Sequence, residues 1–488
     1  MRSREGMAMA EPPQIPEWGK KLEGWNATVW RTATGSPMMR SAMTSLMILD
    51  RTPDLDALRD RMERVSRWFP ALRERIVEPI GPLGQPRMIV DPEFDISFHA
   101  SHYALPAPAS YEQLLRHARR QMLQDLDRDR PLWRAVIIDG LPGGRCAIIH
   151  VIHHAIADGQ GAVMIVAGML DFAPDAPPPT DPMPPAPKPG RVDRPTVTAV
   201  ALGSAAKRAG TTYAGLLKAV PKTMFDLATH PQKTTTDAAR MALSAARTFT
   251  TPTAGLSKLM TGRGSTYTPR TLDIAFADLR TAAKNYEGTI NDAFLTAITG
   301  GVRRYHRVHR AEITKLRVSV PVSFRTAADK AEENKVGLAR VDLEAAEPDV
   351  ASRFADAHAA VERARNEPFL RHPDVLGDVS RLFPVDVVVK LTTGLDLTAS
   401  NVPGIPVPVW VGGAKLERSY PLVPTIGAAA NITMVSYAKQ RCCIGVNTDD
   451  VAIPDPDVFI HCLAEGFDEI GVPIGQHAFD PFAQLAED

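Results

Sequence analysis

Between residues 172 and 195 the chain carries prolines at 174, 177, 178, 179, 182, 184, 185, 187, 189 and 195. Proline fixes φ and has no amide proton, so this stretch supports neither a helix nor a central strand. The segments on its two sides must build separate layers. At 488 residues the chain is also too long for one ordinary core. Strand-like and helix-like runs alternate on both sides, which predicts an α/β fold of two units rather than a repeat array. The expected division is 1–172, a linker with helical pieces over 173–265, and 266–488.

In the first unit, helical periodicity covers 54–65 and 111–127, and a strand is expected over 73–77. Pro131-Leu132-Trp133 opens a strand that runs to Ile138. A turn over 139–144, rich in glycine, reverses the chain, and the apolar run 145–152 returns as the second arm of a hairpin. In the second unit, strands are expected at 272–276, 316–322, 338–343, 397–401, 407–412, 428–436 and 441–447, and helices over 289–305 and 455–470.

The hairpin arm ends in His153-His154, followed by Asp158 and Gly159. A helix-compatible run over 161–170 comes next, so the histidines belong where a strand gives way to a loop. Imidazole titrates near neutrality and can both take and return a proton, which makes one of the pair a candidate general base. Asp158 either fixes an imidazole tautomer or pairs with an arginine and holds the loop, and Gly159 admits backbone angles that other residues resist. The competing reading is a pair of core histidines beside a turn aspartate. A metal site built from His150, His153 and His154 is disfavoured, because the run lacks cysteine and matches no standard zinc spacing.

Charge and composition narrow the function. Lys plus Arg equals Asp plus Glu, 56 against 56, so no global field draws nucleic acid. Cys146, Cys442, Cys443 and Cys462 have no disulfide spacing, and adjacent Cys442 and Cys443 point to opposite faces of an expected strand, which fits a reducing cytosol. No apolar run is long enough to span a membrane, and the first twenty residues read as neither signal nor anchor. Over 195–260, Lys207, Arg208, Lys218, Lys222, Lys233, Arg240, Arg247 and Lys258 face only Asp226 and Asp237. Interspersed leucines and methionines make this stretch a candidate contact with an anionic lipid surface, or else a helical linker with a solvated face. The chain has no Gly-x-Ser-x-Gly, no phosphate-cradling loop and no His-Glu-x-x-His. A base without a protein nucleophile suits direct attack by a substrate hydroxyl or amine on an activated acyl group.

These elements together resemble the bacterial wax ester synthase/diacylglycerol acyltransferases, relatives of the coenzyme A-dependent acyltransferases and peptide-synthetase condensation domains. The resemblance is carried by Arg67 through Arg75, Pro131-Leu132-Trp133, His153 to Gly159, Asn291-Asp292, Pro321 through Arg325, Ser400 through Gly404, and the stretch Asn431 to Asn447. Residues 24–30 and 37–40 match the family's opening only loosely. The resemblance implies two chloramphenicol-acetyltransferase-like domains, each a mixed sheet flanked by helices, with the active site in a tunnel between them. It implies His154 as general base, His153 as its support, and Asp158 as a structural residue held by Arg67, Arg73 or Arg325. Asn291 is either an oxyanion donor or, as its position before Asp292 suggests, a helix N-cap. The implied reaction moves a long-chain acyl group from acyl-CoA, a co-substrate with no permanently bound cofactor, to diacylglycerol or a fatty alcohol. The implied setting is the cytoplasmic face of a membrane or a lipid droplet. A non-catalytic lipid-coating protein, and a transferase fed by an acyl carrier protein or using another acceptor, are the alternatives.

Overall fold

The computed structural model describes residues 19–22, 24–80, 85–157, 159–177, 181–189, 192–200, 202, 254–323, 336–367 and 384–484. Asp158, Arg325 and most of the cationic stretch 195–260 lie outside them. The first half runs β1 (Lys20–Lys21), α1 (Gly24–Gly35), β2 (Ala42–Leu49), α2 (Leu55–Trp68), β3 (Glu74–Val77), β4 (Arg87–Val90), β5 (Ala100–Ala104), α3 (Tyr111–Leu123), β6 (Trp133–Asp139), β7 (Cys146–His153) and α4 (Gly159–Ala167). The second half runs β8 (Tyr267–Ala275), α5 (Phe276–Asn285), α6 (Ile290–Val308), β9 (Lys315–Ser323), β10 (Val336–Glu344), α7 (Val350–Arg365), α8 (Val385–Thr393), β11 (Leu397–Val402), β12 (Trp410–Val411), β13 (Ala414–Leu422), β14 (Ala430–Tyr437), β15 (Arg441–Asp449) and α9 (Pro456–Glu469).

Local chemistry sets the element ends. Asp54 caps α2 by accepting from the amides of Asp56 and Ala57, and Ser110 with Gln113 forms a capping box on α3. The period-3.6 pattern of α3 continues toward residue 127, yet the helix stops at Leu123. Gln124 turns extended there, and the Arg134 guanidinium takes the Gln121 and Gln124 carbonyls that further helix would have used. The proline-rich segment is also anchored. Its carbonyls at Asp181, Pro182 and Pro184 accept from Arg64 and Arg67 on α2.

Among the described residues two mixed six-stranded sheets result, with a small three-stranded sheet beside them. The second-half sheet has the order β10-β9-β11-β14-β15-β8, with α6, α7 and α9 closing one large core. The other has the order β12-β13-β2-β7-β6-β5. It therefore takes two strands from beyond residue 266, so the partition expected at the linker is crossed by 410–422. The strand expected at 407–412 shrinks to Trp410–Val411, and the long strand is β13, which the sequence hides behind Lys415, Glu417, Arg418 and Pro421. A bulge between Leu416 and Arg418 shifts its register against β2, so Leu416 and Ser419 can serve the same face.

β13 locks the halves together. Arg418 donates from Nε to Asp273 of β8 at 2.5 Å, with both side chains almost fully buried. Gly445 of β15 lies so close to β13 that a β-carbon there would sit 1.9 Å from the Pro421 carbonyl oxygen. Removing one partner from a buried ion pair leaves an uncompensated charge, a cost of about 3–5 kcal/mol. Arg418→Ala is expected to destabilise the fold by that much, read from the shift of its urea denaturation midpoint, and an Asp273→Leu/Arg418→Met double variant to recover most of it. Equal midpoints for wild type and Arg418→Ala would show that the pair does not hold the halves.

Candidate functional site

The histidine turn hangs between the two neighbours of β7. The His153 amide donates to the Leu132 carbonyl at 3.0 Å, the His154 amide to Ser41 at 2.8 Å, and the Ile156 amide to the His153 carbonyl at 3.0 Å. β7 thus leaves its ladder by a tight turn pinned to the starts of β2 and β6. Ala155, Ile156 and Ala157 are buried in the cluster that α1 and α2 close, which fixes the turn further. Gly159 opens α4 directly after the motif.

His153 is a held residue. Its Nδ1 accepts from the Ala155 amide at 3.1 Å, so the neutral ring carries its proton on Nε2. The ring stands edge-on to Trp30 at 5.8 Å and lines a small cavity, about 30 Å³, with Trp30, Arg40, Asp125 and Arg128. Burial, aided by His154 and Arg128, lowers its pKa to about 4. His154 is half-buried in the turn and lines neither this cavity nor a larger one on the other side of the strand.

That larger cavity, about 130 Å³, lies on the opposite face of β7, where the two sheets face each other. His150 and Ile152 of β7, Ser45 of β2, Ser419 and Pro421 of β13, Val163 and Val166 of α4, and Thr433 and Val435 of β14 are in its wall. The loop after β11 closes it with Gly404, which donates its amide to Ser436 Oγ at 3.2 Å and leaves no room for a side chain. The Ser400 to Gly404 element thus has two of its residues, Val402 and Gly404, in a cavity wall. Because residues 150 and 153 are three apart on a strand, their side chains project from opposite faces, and they converge on no common metal position. Burial alone lowers the His150 pKa to about 4.

The remaining motif residues support this turn from behind. Trp133 donates from Nε1 to the Leu72 carbonyl at 2.8 Å and stacks on His99 at 4.6 Å, which stacks in turn on Phe94 at 5.2 Å. Arg73 lies over Phe94 at 4.2 Å and donates to Ser66 Oγ and Glu63. Arg67 takes the same Glu63 carboxylate at 2.9 Å. Two of the three arginines raised as partners of Asp158, Arg67 and Arg73, thus pair with Glu63, while the third, Arg325, lies with Asp158 outside the described residues. The N-cap reading of Asn291 is corrected: Thr289 caps α6, with Asp292 as its capping-box partner, because its hydroxyl stands three residues before the Asp292 amide. Asn291 sits half-buried in the first turn and lines neither cavity. The sequence alone marks His150 only as a poor metal ligand. The period-two alternation of β7 is the signal that it faces away from His153.

A family model described as the wax ester synthase/diacylglycerol acyltransferase catalytic domain matches residues 22–294, and one for the C-terminal domain of the same family matches 333–471. A provisionally named diacylglycerol O-acyltransferase of Mycobacterium tuberculosis is 31% identical over 471 residues, 95% of this chain and 94% of that protein. Another from the same organism is 26% identical over 411 residues, covering 80% and 82%. Among solved structures, the wax ester synthase/diacylglycerol acyltransferase of Marinobacter aquaeolei superposes with a TM-score of 0.58 at 20% identity, covering 93% and 96%. The first condensation domain of the calcium-dependent antibiotic synthetase reaches 0.61 at 16% identity, covering 94% and 99%. These two likenesses establish the fold.

The two buried histidines make stability depend on pH. Their folded pKa values near 4 lie below the ordinary value of about 6.5, so between those limits the unfolded chain binds more protons. The stability present above pH ~6.5 is lost as pH falls toward ~4, about 3 kcal/mol for each histidine. Urea midpoints measured from neutral to mildly acidic pH are expected to fall accordingly, and His150→Leu to flatten its share of the slope. A wild-type midpoint that held constant across this range would contradict the burial.

Proposed function

The chain belongs to the wax ester synthase/diacylglycerol acyltransferase family, and on that premise we propose that it transfers a long-chain acyl group from acyl-CoA to diacylglycerol or a fatty alcohol. The observation that carries the reading is the His153-His154 turn, anchored by two backbone hydrogen bonds to β2 and β6 at the end of β7. In the proposed step His154 takes the proton of the acceptor hydroxyl, and the oxygen attacks the thioester carbonyl. The C–S bond then breaks and the imidazolium returns the proton to the departing thiolate. No covalent enzyme intermediate and no bound cofactor are needed. General-base help supplies roughly 10²- to 10⁴-fold, so positioning and oxyanion stabilisation must contribute the rest.

His153 serves as a positioning residue in this scheme. Its Nδ1 is occupied by the Ala155 amide, and burial disfavours its protonated form at neutral pH. Both lipid substrates partition into membranes or storage droplets, which supports work at a lipid surface by a peripheral protein. Among the described residues no helix is long and apolar enough to cross a membrane.

The deciding experiment is thiol release from a long-chain acyl-CoA with diacylglycerol and with a long-chain alcohol as acceptors. His154→Ala is expected to lose roughly 10²- to 10⁴-fold in rate while keeping its melting temperature. Equal release by wild type and His154→Ala would remove His154 from the mechanism. Lipid binding with no turnover of acyl-CoA or acylated carrier protein would favour a non-catalytic coat protein instead.

A further inference from the structure

The cavity on the inner face of β7 contains a polar group that the proposed reaction does not use. His150 is 5% exposed, and neither of its ring nitrogens has a hydrogen-bond partner. Thr44 Oγ1, also in the wall, has no partner either, whereas the other hydroxyls around the cavity are committed elsewhere. Ser45 and Ser419 share a hydrogen bond at 3.4 Å, Ser436 accepts from the Gly404 amide, and Thr433 donates to Asn431 at 2.7 Å. A neutral imidazole offers one donor and one acceptor, and burying both unused is unfavourable. The site is therefore built to hydrogen-bond something that enters it.

The rest of the wall says what that is. Ile152, Val163, Val166, Val402 and Ile405 make it aliphatic, so the ligand is mostly hydrocarbon. The volume of about 130 Å³ is close to the ~150 Å³ that accepts one benzene, enough for a segment of about six heavy atoms rather than a whole long chain. Burial keeps His150 neutral, which argues against an anionic head group.

We propose that this cavity receives a segment of a lipid substrate bearing a hydroxyl, keto or ester oxygen, and that His150 hydrogen-bonds that oxygen and sets specificity for it. The inference rests on the acyltransferase reading and names a substrate class for it. His150 stands four residues before His154, the proposed base, a backbone path of at most about 13 Å, so the oxygen sits along the lipid chain rather than at the reacting carbon. The oxygen is carried either by the acyl chain of the donor or by the body of the acceptor.

Full-length His154→Ala protein, with turnover removed, is titrated calorimetrically in two arms. One compares a fatty acid carrying a mid-chain hydroxyl with its unsubstituted parent. The other compares a long-chain diol monoester with a plain alcohol of equal length. The arm containing the true source is expected to show about tenfold tighter binding of the oxygenated ligand, the worth of one net hydrogen bond. Adding His150→Leu is expected to erase the difference, and His150→Asn to restore part of it. Equal affinities in both arms, as when His150 holds only a water, overturn the proposal, and so does a preference that survives both substitutions. A preference without turnover by the wild-type enzyme sinks the acyltransferase reading alone, whereas turnover with no preference sinks this one alone.

Discussion

Insertion of β13 into the sheet of the opposite half is the constraint on which the rest of the molecule depends. The chain leaves the second-half sheet after β11, crosses to pair with β2 through Leu416 to Leu422, and returns to pair β14 with β11. Each crossing is pinned. The Gly404 amide binds Ser436 on the way out, and on the way back the Asn431 and Asn447 carboxamides donate to the Pro424 and Val423 carbonyls at 3.1 and 2.6 Å. Without the exchange the two sheets would meet as independent surfaces of separate domains, free to shift. With it, strands β2, β7 and β13 on one side and β14 on the other face the same cavity at fixed separation.

The same fixity reaches the histidine turn through the backbone. Its amides are spent on the Leu132 and Ser41 carbonyls, so the turn moves only if β6 or β2 moves. β6 is held in turn by Trp133, clamped between the Leu72 carbonyl and the His99 ring, and behind that by Arg73 and Glu63. A catalytic group needs its geometry kept within a fraction of an ångström, and locked second layers of this kind supply it. The Arg67 to Arg75 and Pro131 to Trp133 elements thus act on the turn through packing, with no need to touch a substrate.

Local features are legible in the sequence and non-local ones are hidden. The hairpin of β6 and β7, its histidine end, and the helices starting at residues 55 and 111 emerge from periodicity and caps that a short window contains. β13 does not, because Lys415, Glu417 and Arg418 break the apolar alternation, and only Asp273, far away in sequence, accounts for the burial of Arg418. The N-cap of α6 is ambiguous for a smaller reason. Asn291 and Thr289 are both good caps, and only the Asp292 carboxylate reaching back to the Thr289 amide decides between them. The exposure of His150 to a cavity depends on α4 and β14 closing over it, which no pattern within β7 encodes.

Three histidines within five residues therefore have three different environments, and the cause is the strand itself. The two-residue period of β7 sends His150 to the face between the sheets and His153 to the other, where Trp30 holds it. The turn then releases His154 from the alternation and leaves it half-buried. Deep burial suppresses protonation of the first two, so neither is suited to cycle a proton near neutrality. The division of labour comes from where the ladder ends: one residue longer, and His154 would be a third strand residue fixed to a sheet face.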